Sequence, residues 1–212
     1  MFRYNEDIAH FSNKIKLVQL TDAYFKNIYF EYGGYEQLDL SENDDEMICV
    51  LTPKFNAKSD FKSLNYILKY KPDFENVTCV RNVEMGPITL QKSQFHHGEN
   101  FIVLWNHLLE KLNLSYYKKI DFKNCYSNMF FIKNVHLKKF KTFMLKAIEE
   151  IEKFQDPFKK LLFENPNYKG NICPNVLMQK FGKPHYTFHA FLCERLIGLF
   201  CVVNKITINY SI

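Results

Sequence analysis

A glutamate and an arginine stand side by side, as Glu194 and Arg195, in a segment that is otherwise apolar. Charges in a buried segment are costly unless they are paired or used. Glu194 could act as a general base, and Arg195 could bind a phosphate through two parallel hydrogen bonds. Because adjacent residues of a helix do not face each other, at most one of the two can point straight into a core. The pair therefore indicates either a functional site or a structural salt bridge.

Histidines near this pair and far from it could also take part in chemistry. His185 and His189 have the i, i+4 spacing of a zinc-binding helix, but Tyr186 stands where the glutamate of the HExxH motif would be. We therefore expect these histidines to face a substrate or the core. His97 precedes a predicted helix, where an imidazole could contact a phosphate or transfer a proton. Capping of that helix by Glu99 is the alternative explanation for the polar residues there.

An acidic loop that contains Asp44 and Asp45 precedes an apolar, strand-like run. Carboxylate oxygens are the preferred ligands of Mg²⁺ and Mn²⁺, and such a cation could neutralise a diphosphate. The pattern predicts Asp44 and Asp45 as metal ligands. A solvated loop is the alternative.

Polar residues also lie beside two other strand-like runs. Tyr4, Asn5 and Asp7 belong to a polar group next to the first run, and ligands of layered α/β folds bind at strand ends. This group could bind a base or a ribose, although simple solvation of the N-terminus explains it equally well. Asn128 interrupts an apolar run and could bind a sugar hydroxyl or a phosphate oxygen. The alternative for Asn128 is a hydrogen bond that completes the strand end.

The elements that would position these residues alternate between strands and helices. Apolar runs predict strands at 16–20, 28–30, 46–52, 77–80, 88–90, 126–132 and 206–210. Helical spacing predicts helices at 60–70, 98–113, 135–154 and 187–202, and Gly33 with Gly34 predicts a turn. The alternation predicts a layered α/β domain.

The bulk composition narrows the classes of protein. With 212 residues, of which 47% are hydrophobic, the chain suits one domain with a sizeable core. A net charge of +5 without a basic run argues against a nucleic-acid partner. The six cysteines form no CxxC pair, which favours buried free thiols in a reducing compartment. Because no apolar run resembles a signal region or could span a membrane, we expect a cytoplasmic protein without an integral membrane segment.

A longer pattern, YxNMF…K followed by a long helix and FxxERL, runs through the second half of the chain. It is carried by Tyr126, Asn128, Met129, Phe130, Lys133, Phe191, Glu194, Arg195 and Leu196. This pattern resembles the C-terminal half of glycosyltransferase-like proteins of the GT-A type, which occur in bacterial surface-polysaccharide clusters and in large DNA viruses. The acidic strand start with its trailing Pro53, and the sequence YNED at residues 4–7, are similar to features of related transferases.

The resemblance implies a GT-A-like (Rossmann-like) α/β fold, with a mixed central sheet flanked by helices and a single domain over residues 1–212. It implies a glycosyltransferase of polysaccharide biosynthesis that moves a sugar from a nucleotide-sugar donor to a hydroxyl of a glycan acceptor. It also implies a divalent metal, Mn²⁺ or Mg²⁺, for which Asp44 and Asp45 are the candidate ligands.

Each remaining candidate residue receives a role in this interpretation. Glu194 is the base that removes the acceptor proton, which would invert the configuration at the sugar, and His185 assists by binding a hydroxyl. Arg195 and His97 offset charge on the leaving diphosphate. The donor and acceptor are contacted by Tyr4, Asn5, Asp7 and Asn128.

A non-catalytic carbohydrate-binding or protein-interaction domain is the competing prediction. The 13 tyrosines and the single tryptophan could stack on sugars without any chemistry. The two predictions differ over nucleotide, because a transferase binds a nucleoside diphosphate and a binding domain does not.

Overall fold

The central feature of the fold is one mixed β-sheet. The computed structural model describes residues 15–19, 27–51, 75–80, 96–125, 129–168 and 173–210. Their strands are β1 (Ile15–Gln19), β2 (Met47–Leu51), β3 (Val77–Cys79), β4 (Phe130–Lys133) and β5 (Ile208–Tyr210). These strands lie in the order β1-β2-β4-β3-β5. β1 is parallel to β2 and β3 is parallel to β5, whereas β4 runs antiparallel to both of its neighbours.

The central strands are the most apolar segments of the chain. Every side chain of β2 is buried, and so are those of residues 130–132 in β4. A strand that is covered on both faces has a continuous apolar run instead of an alternating pattern. The strands predicted at 16–20, 46–52, 77–80 and 206–210 are confirmed, as is the part of 126–132 that the structure describes.

Helices pack around this sheet and bury the faces that their spacing predicts. Helix α1 (Glu99–Lys111) and helix α2 (Asn134–Glu152) confirm the helices predicted at 98–113 and 135–154. Phe140 of α2 contacts Phe130 of β4 and Phe200, with ring centroids 6.1 Å and 5.4 Å apart. The other described α-helices are α3 (Phe158–Leu162), α4 (Pro174–Phe181), α5 (Phe188–Cys193) and α6 (Leu196–Val203). The α/β class with a mixed sheet flanked by helices is therefore present.

A 3₁₀ helix (Asn27–Gln37) occupies the region predicted as a strand at 28–30 and a turn at Gly33 and Gly34, so both predictions are wrong. Tyr29, Tyr32 and Tyr35 are all buried. Their spacing of three residues matches the three residues per turn of a 3₁₀ helix, so the three rings share one face. Tyr35 packs edge-on against Phe140, with centroids 5.4 Å apart. The tyrosine spacing was the sequence signal for this element.

The helix predicted at 187–202 is also wrong as a single element. The structure divides it into α5 and α6, and Glu194 with Arg195 forms the junction between them. Both helices are buried nearly all round, as the apolar sequence indicates. The junction places the two charged residues at a helix end and not inside a continuous helix.

The remaining sequence predictions divide into tested and untested ones. All six cysteines are free, as expected, and each is buried except Cys173. No helix among the described residues is both long and apolar enough to cross a membrane. Outside the described residues lie the predicted helix at 60–70, the predicted strand at 88–90 and the candidate site residues Tyr4, Asn5, Asp7 and Asn128.

Candidate functional site

The junction between α5 and α6 buries a guanidinium group beside a carboxylate. The Arg195 side chain is 4% exposed and the Glu194 side chain 20% exposed. Nη1 of Arg195 donates to Oε2 of Glu194 and to the carbonyl of Phe191 at 3.1 Å. Neighbouring residues can pair in this way because the junction interrupts the regular helix. Glu194 and Arg195 thus form a salt bridge, which was one of the two alternatives. The Glu194 carboxylate also keeps some access to solvent, which the other alternative, a functional site, requires.

His97 lies on the other side of the guanidinium. Its Nε2 is 3.1 Å from Nη2 of Arg195. Because a guanidinium only donates hydrogen bonds, Nε2 is the acceptor and the ring proton is on Nδ1. Burial, with further contributions from the charges of Arg195 and His96, lowers the pKa of His97 to about 3. His97 is therefore a neutral imidazole at physiological pH and holds Arg195 in place without adding a charge.

Aromatic rings connect this polar group to the surface of the protein. His97 stacks on Phe191 at a centroid distance of 4.2 Å, and Tyr168 contacts Phe191 at 5.0 Å. Tyr186 meets Tyr168 edge-on at 5.2 Å. Tyr168 is 47% exposed. We call Tyr168, Tyr186 and Phe191 the aromatic surface.

Burial and the nearby Tyr168 raise the pKa of the Tyr186 hydroxyl to about 12, so this phenol stays protonated even further above neutral pH than an ordinary tyrosine. A protonated phenol can donate one hydrogen bond. Sequence reasoning missed Tyr168, whose loop carries no strand or helix pattern. The only available signal was a large aromatic residue in a loop rich in asparagine and proline.

The two histidines with helical spacing have separate surroundings. His185 precedes α5 and donates from Nε2 to the carbonyl of Phe163 at 3.1 Å. His189 is buried in α5, with Nδ1 2.9 Å from the hydroxyl of Thr187. Burial lowers the pKa of His189 to about 4. His189 is thus a core histidine, whereas His185 directly precedes Tyr186 of the aromatic surface.

Lysines from β4 and α2 neutralise the acidic loop. Lys138 Nζ lies 2.8 Å from Asp44, and Lys133 Nζ lies 3.6 Å from Asp45. Asn134 fixes the loop backbone by donating from Nδ2 to the carbonyls of Ser41 and Asn43, at 2.7 Å and 2.8 Å. Among the residues placed in the structure, no group of three or more His, Cys, Asp or Glu side chains could hold a metal ion. In the structure Asp44 and Asp45 belong to an ion-paired loop.

The acidic loop and the group formed by Glu194, Arg195 and His97, which we call the Glu194 site, lie at opposite ends of the strands of the sheet. The acidic loop precedes β2, whose first residue, Met47, pairs with Lys133 at the end of β4. The carboxyl ends of β3 and β5, where Cys79 pairs with Tyr210, lie at the opposite end of the strands, which we call the carboxyl edge. Asn124 joins this edge to the site, since its backbone bonds to the Tyr210 hydroxyl and its side chain bonds to the carbonyl of Glu194. Ligands of α/β folds bind at the carboxyl ends of the strands, and Asn124 links the backbone of Glu194 to this end of the sheet.

The structure therefore brings together three of the predicted site residues, Glu194, Arg195 and His97. It places Asp44 and Asp45 at the other edge of the sheet, so it does not join the proposed metal ligands to the proposed base.

Comparisons with protein-family models, curated proteins and solved structures show no match to this chain. The resemblance to GT-A-type glycosyltransferases therefore rests on the chain's own residues.

Proposed function

We propose that the protein is a glycosyltransferase with a GT-A-like fold, which moves a sugar from a nucleotide-sugar donor to a hydroxyl of a glycan acceptor. The observation that carries the proposal is the Glu194–Arg195–His97 group beside an aromatic surface. Glu194 and Arg195 belong to the FxxERL pattern on which the resemblance depends. The mixed sheet, with β4 reversed between its neighbours, accords with the central sheet that the resemblance implies.

Glu194 is the proposed general base. The acceptor oxygen bonds to the anomeric carbon of the donor sugar while the bond from that carbon to the phosphate oxygen breaks. The electron pair of that bond leaves with the nucleoside diphosphate, and the acceptor proton passes to Glu194. Such a direct displacement inverts the configuration at the anomeric carbon. A positioned base contributes roughly 10²- to 10⁴-fold to the rate.

Arg195 has a different role from the one expected from the sequence. Its side chain is 4% exposed and is bonded to Glu194, His97 and the Phe191 carbonyl. A diphosphate clamp needs an accessible guanidinium, so we assign Arg195 to holding Glu194. His97 in turn holds Arg195, because a buried neutral imidazole cannot offset the charge of a diphosphate.

The aromatic surface is the proposed acceptor site. Sugar rings present apolar C–H faces that pack on aromatic rings, and polar groups nearby fix their orientation. Tyr168 supplies the exposed ring, and the Tyr186 hydroxyl with the adjacent His185 supplies polar groups. The donor would be bound by Tyr4, Asn5, Asp7 and Asn128, which remain proposals from the sequence.

The divalent metal also remains a proposal. Asp44 and Asp45 are exposed enough to accept a cation, but each already pairs with a lysine. The proposed reaction therefore includes no step that depends on metal at this loop.

Nucleotide binding is the first test of the proposal. Thermal unfolding is measured with UDP, GDP, CDP and dTDP, each with and without Mn²⁺. A ligand at 100 times its Kd stabilises the folded state by about 2.7 kcal/mol, which raises the Tm by roughly 5 to 10 °C for a chain of this size. We expect one nucleotide to produce this shift. No shift with any of the four would overturn the transferase in favour of a binding domain.

Turnover then tests the base. Glu194→Gln should keep the nucleotide-induced shift and lose sugar transfer by about 100-fold or more, since the amide cannot take the acceptor proton. Glu149→Gln is the matched control, because Glu149 pairs with Lys153 on an exposed part of α2 and should be unaffected in both assays. Full turnover in Glu194→Gln would show that the base assignment is wrong.

A non-catalytic carbohydrate-binding domain is the second candidate, favoured by the exposed ring of Tyr168. In that case glycan binding would be lost in Tyr168→Ala although no nucleotide binds. Tyr116→Ala is the control, since Tyr116 is 80% exposed outside the aromatic surface.

A further inference from the structure

Asn124 lies in the segment before β4 and reaches into the junction between α5 and α6. Its Nδ2 donates to the carbonyl of Glu194 at 2.8 Å, and its Oδ1 accepts the backbone N–H of Gly198 at 3.0 Å. In an α-helix the N–H of residue 198 would donate to the carbonyl of residue 194. The amide of Asn124 therefore takes the place of one backbone hydrogen bond and satisfies both of its partners.

The hydrogen bonds on either side show that the interruption is local. Glu194 N–H donates to Ala190 four residues back, and Leu199 N–H donates to Arg195 four residues back. Between them Arg195 N–H donates to Leu192, only three residues back. A side chain inserted into the i→i−4 ladder is an established cause of helix breaks. This insertion separates α5 from α6 where a purely apolar sequence would form one helix.

Two further contacts fix Asn124 in this position. Its backbone N–H donates to the Tyr210 hydroxyl at 3.3 Å, and that hydroxyl donates to the Asn124 carbonyl at 3.2 Å. Gly198 leaves the necessary room, since a Cβ there would lie 2.5 Å from the Lys123 carbonyl and 2.9 Å from Asn124 Oδ1. The close approach thus requires glycine at 198.

We propose that Asn124 is a positioning residue, whose side-chain amide opens the helix so that Glu194 and Arg195 can pair and the carboxylate can face the acceptor site. The role in turnover rests on the proposed function, whereas the hydrogen-bond exchange does not. A displacement of a catalytic group by about 1 Å can reduce the rate roughly 100-fold, so this amide acts on kcat through Glu194.

NMR of the wild-type protein tests the hydrogen-bond exchange directly. Scalar coupling across hydrogen bonds should connect the Gly198 amide nitrogen to the side-chain carbonyl carbon of Asn124. Coupling to the backbone carbonyl carbon of Glu194 would show a continuous helix and overturn the proposal. This result needs neither enzyme activity nor a variant that folds.

Variants test the positioning role. Asn124→Ala, and Asn124→Asp as a variant that keeps the acceptor for Gly198, should both shift the ring-nitrogen resonances of His97 through the displaced Arg195. If the wild type is a transferase, kcat should fall about 10- to 100-fold while the nucleotide-induced Tm shift stays unchanged. Asn204→Ala is the control, because Asn204 also donates to a helix carbonyl, that of Phe200, but outside the junction.

The outcomes separate the two proposals. If the wild type shows no turnover, the His97 resonances still report whether Asn124 positions Arg195. Unchanged His97 resonances in both Asn124 variants, or unchanged kcat in an active protein, would overturn the positioning role.

Discussion

Burial determines what His97 can contribute. An imidazole that accepts a hydrogen bond from a guanidinium must be neutral, and the low dielectric around His97 favours the same state. The Nδ1–H of His97 has no hydrogen-bond partner among the described residues. Protonation of His97 would place a second positive charge against Arg195 in a buried group. Lowering the pH should therefore destabilise the folded state through protonation of His97.

We expect His97→Gln to reduce the acid sensitivity of the protein. The folded pKa of His97, about 3, lies below the value of about 6.5 for an unfolded chain, so the unfolded state binds more protons between these two values. Stability from this group is complete above pH 6.5 and is lost as the pH falls toward 3. Between pH 7 and pH 5 the loss is about 2 kcal/mol for one such histidine.

Urea unfolding of wild type and His97→Gln at pH 7 and pH 5 measures this difference. Glutamine keeps an acceptor for Arg195 but does not titrate. His189, whose pKa is lowered to about 4, contributes to the pH dependence of both proteins. An equal loss of unfolding free energy in both proteins would contradict the assignment.

The 3₁₀ helix is held by a stripe of tyrosines whose hydroxyls do not all have partners. Tyr29 is buried, and its hydroxyl has no hydrogen-bond partner among the residues that the structure describes. Burial raises the pKa of this phenol, so the group stays neutral. The Tyr210 hydroxyl at the edge of the sheet is bonded to both backbone groups of Asn124. Removing each hydroxyl therefore compares a buried group without a described partner, in Tyr29, with a group that makes two hydrogen bonds, in Tyr210.

Tyr29→Phe should therefore leave stability unchanged or raise it by about 1 kcal/mol, because it removes a buried polar atom without breaking a hydrogen bond. Tyr210→Phe should lower stability by roughly 1 kcal/mol, because it leaves backbone groups of Asn124 unsatisfied. Urea unfolding at pH 7 measures both. A larger loss in Tyr29→Phe than in Tyr210→Phe would contradict this account of the 3₁₀ helix.

Among the described residues, the acidic loop and the Glu194 site lie at opposite ends of the strands of one sheet. Phe130 and Lys133 mark the two ends of β4, and three residue steps of about 3.3 Å place them roughly 10 Å apart. The acidic loop adjoins the Lys133 end, and the Glu194 site adjoins the edge that carries Tyr210. The two regions should therefore behave independently.

Double-mutant cycles should show this independence. The effects of Asp44→Asn and Glu194→Gln on the free energy of unfolding should add within about 0.5 kcal/mol, because distant sites without shared partners are additive. His97→Gln and Glu194→Gln should deviate from additivity by about 0.5 to 3 kcal/mol, since both residues bond to Arg195. Coupling of Asp44 to Glu194 as strong as that of His97 would contradict the separation of the two regions.

The periodicity of apolar residues was sufficient to predict the elements whose buried faces follow from the spacing of neighbouring residues. The continuous apolar run of β2 and the i, i+3, i+4 stripes of α1 and α2 indicated correctly which faces are buried. The apolar pattern around Glu194 and Arg195 also indicated these two residues as site candidates, because a buried charge is costly unless it is paired or used. The three-residue spacing of Tyr29, Tyr32 and Tyr35 could also have predicted a 3₁₀ helix in place of the strand at 28–30.

Only the tertiary structure decided how these parts meet. The pattern of residues 187–202 predicts one helix, and the break comes from Asn124, 70 residues away from Glu194. The bond between His97 and Arg195 joins positions 98 residues apart. The separation of Asp44 and Asp45 from Glu194 follows from strand order and direction. Spacing along the chain reports which faces are apolar, whereas hydrogen bonds between segments 70 and 98 residues apart depend on how the sheet and the helices pack against each other.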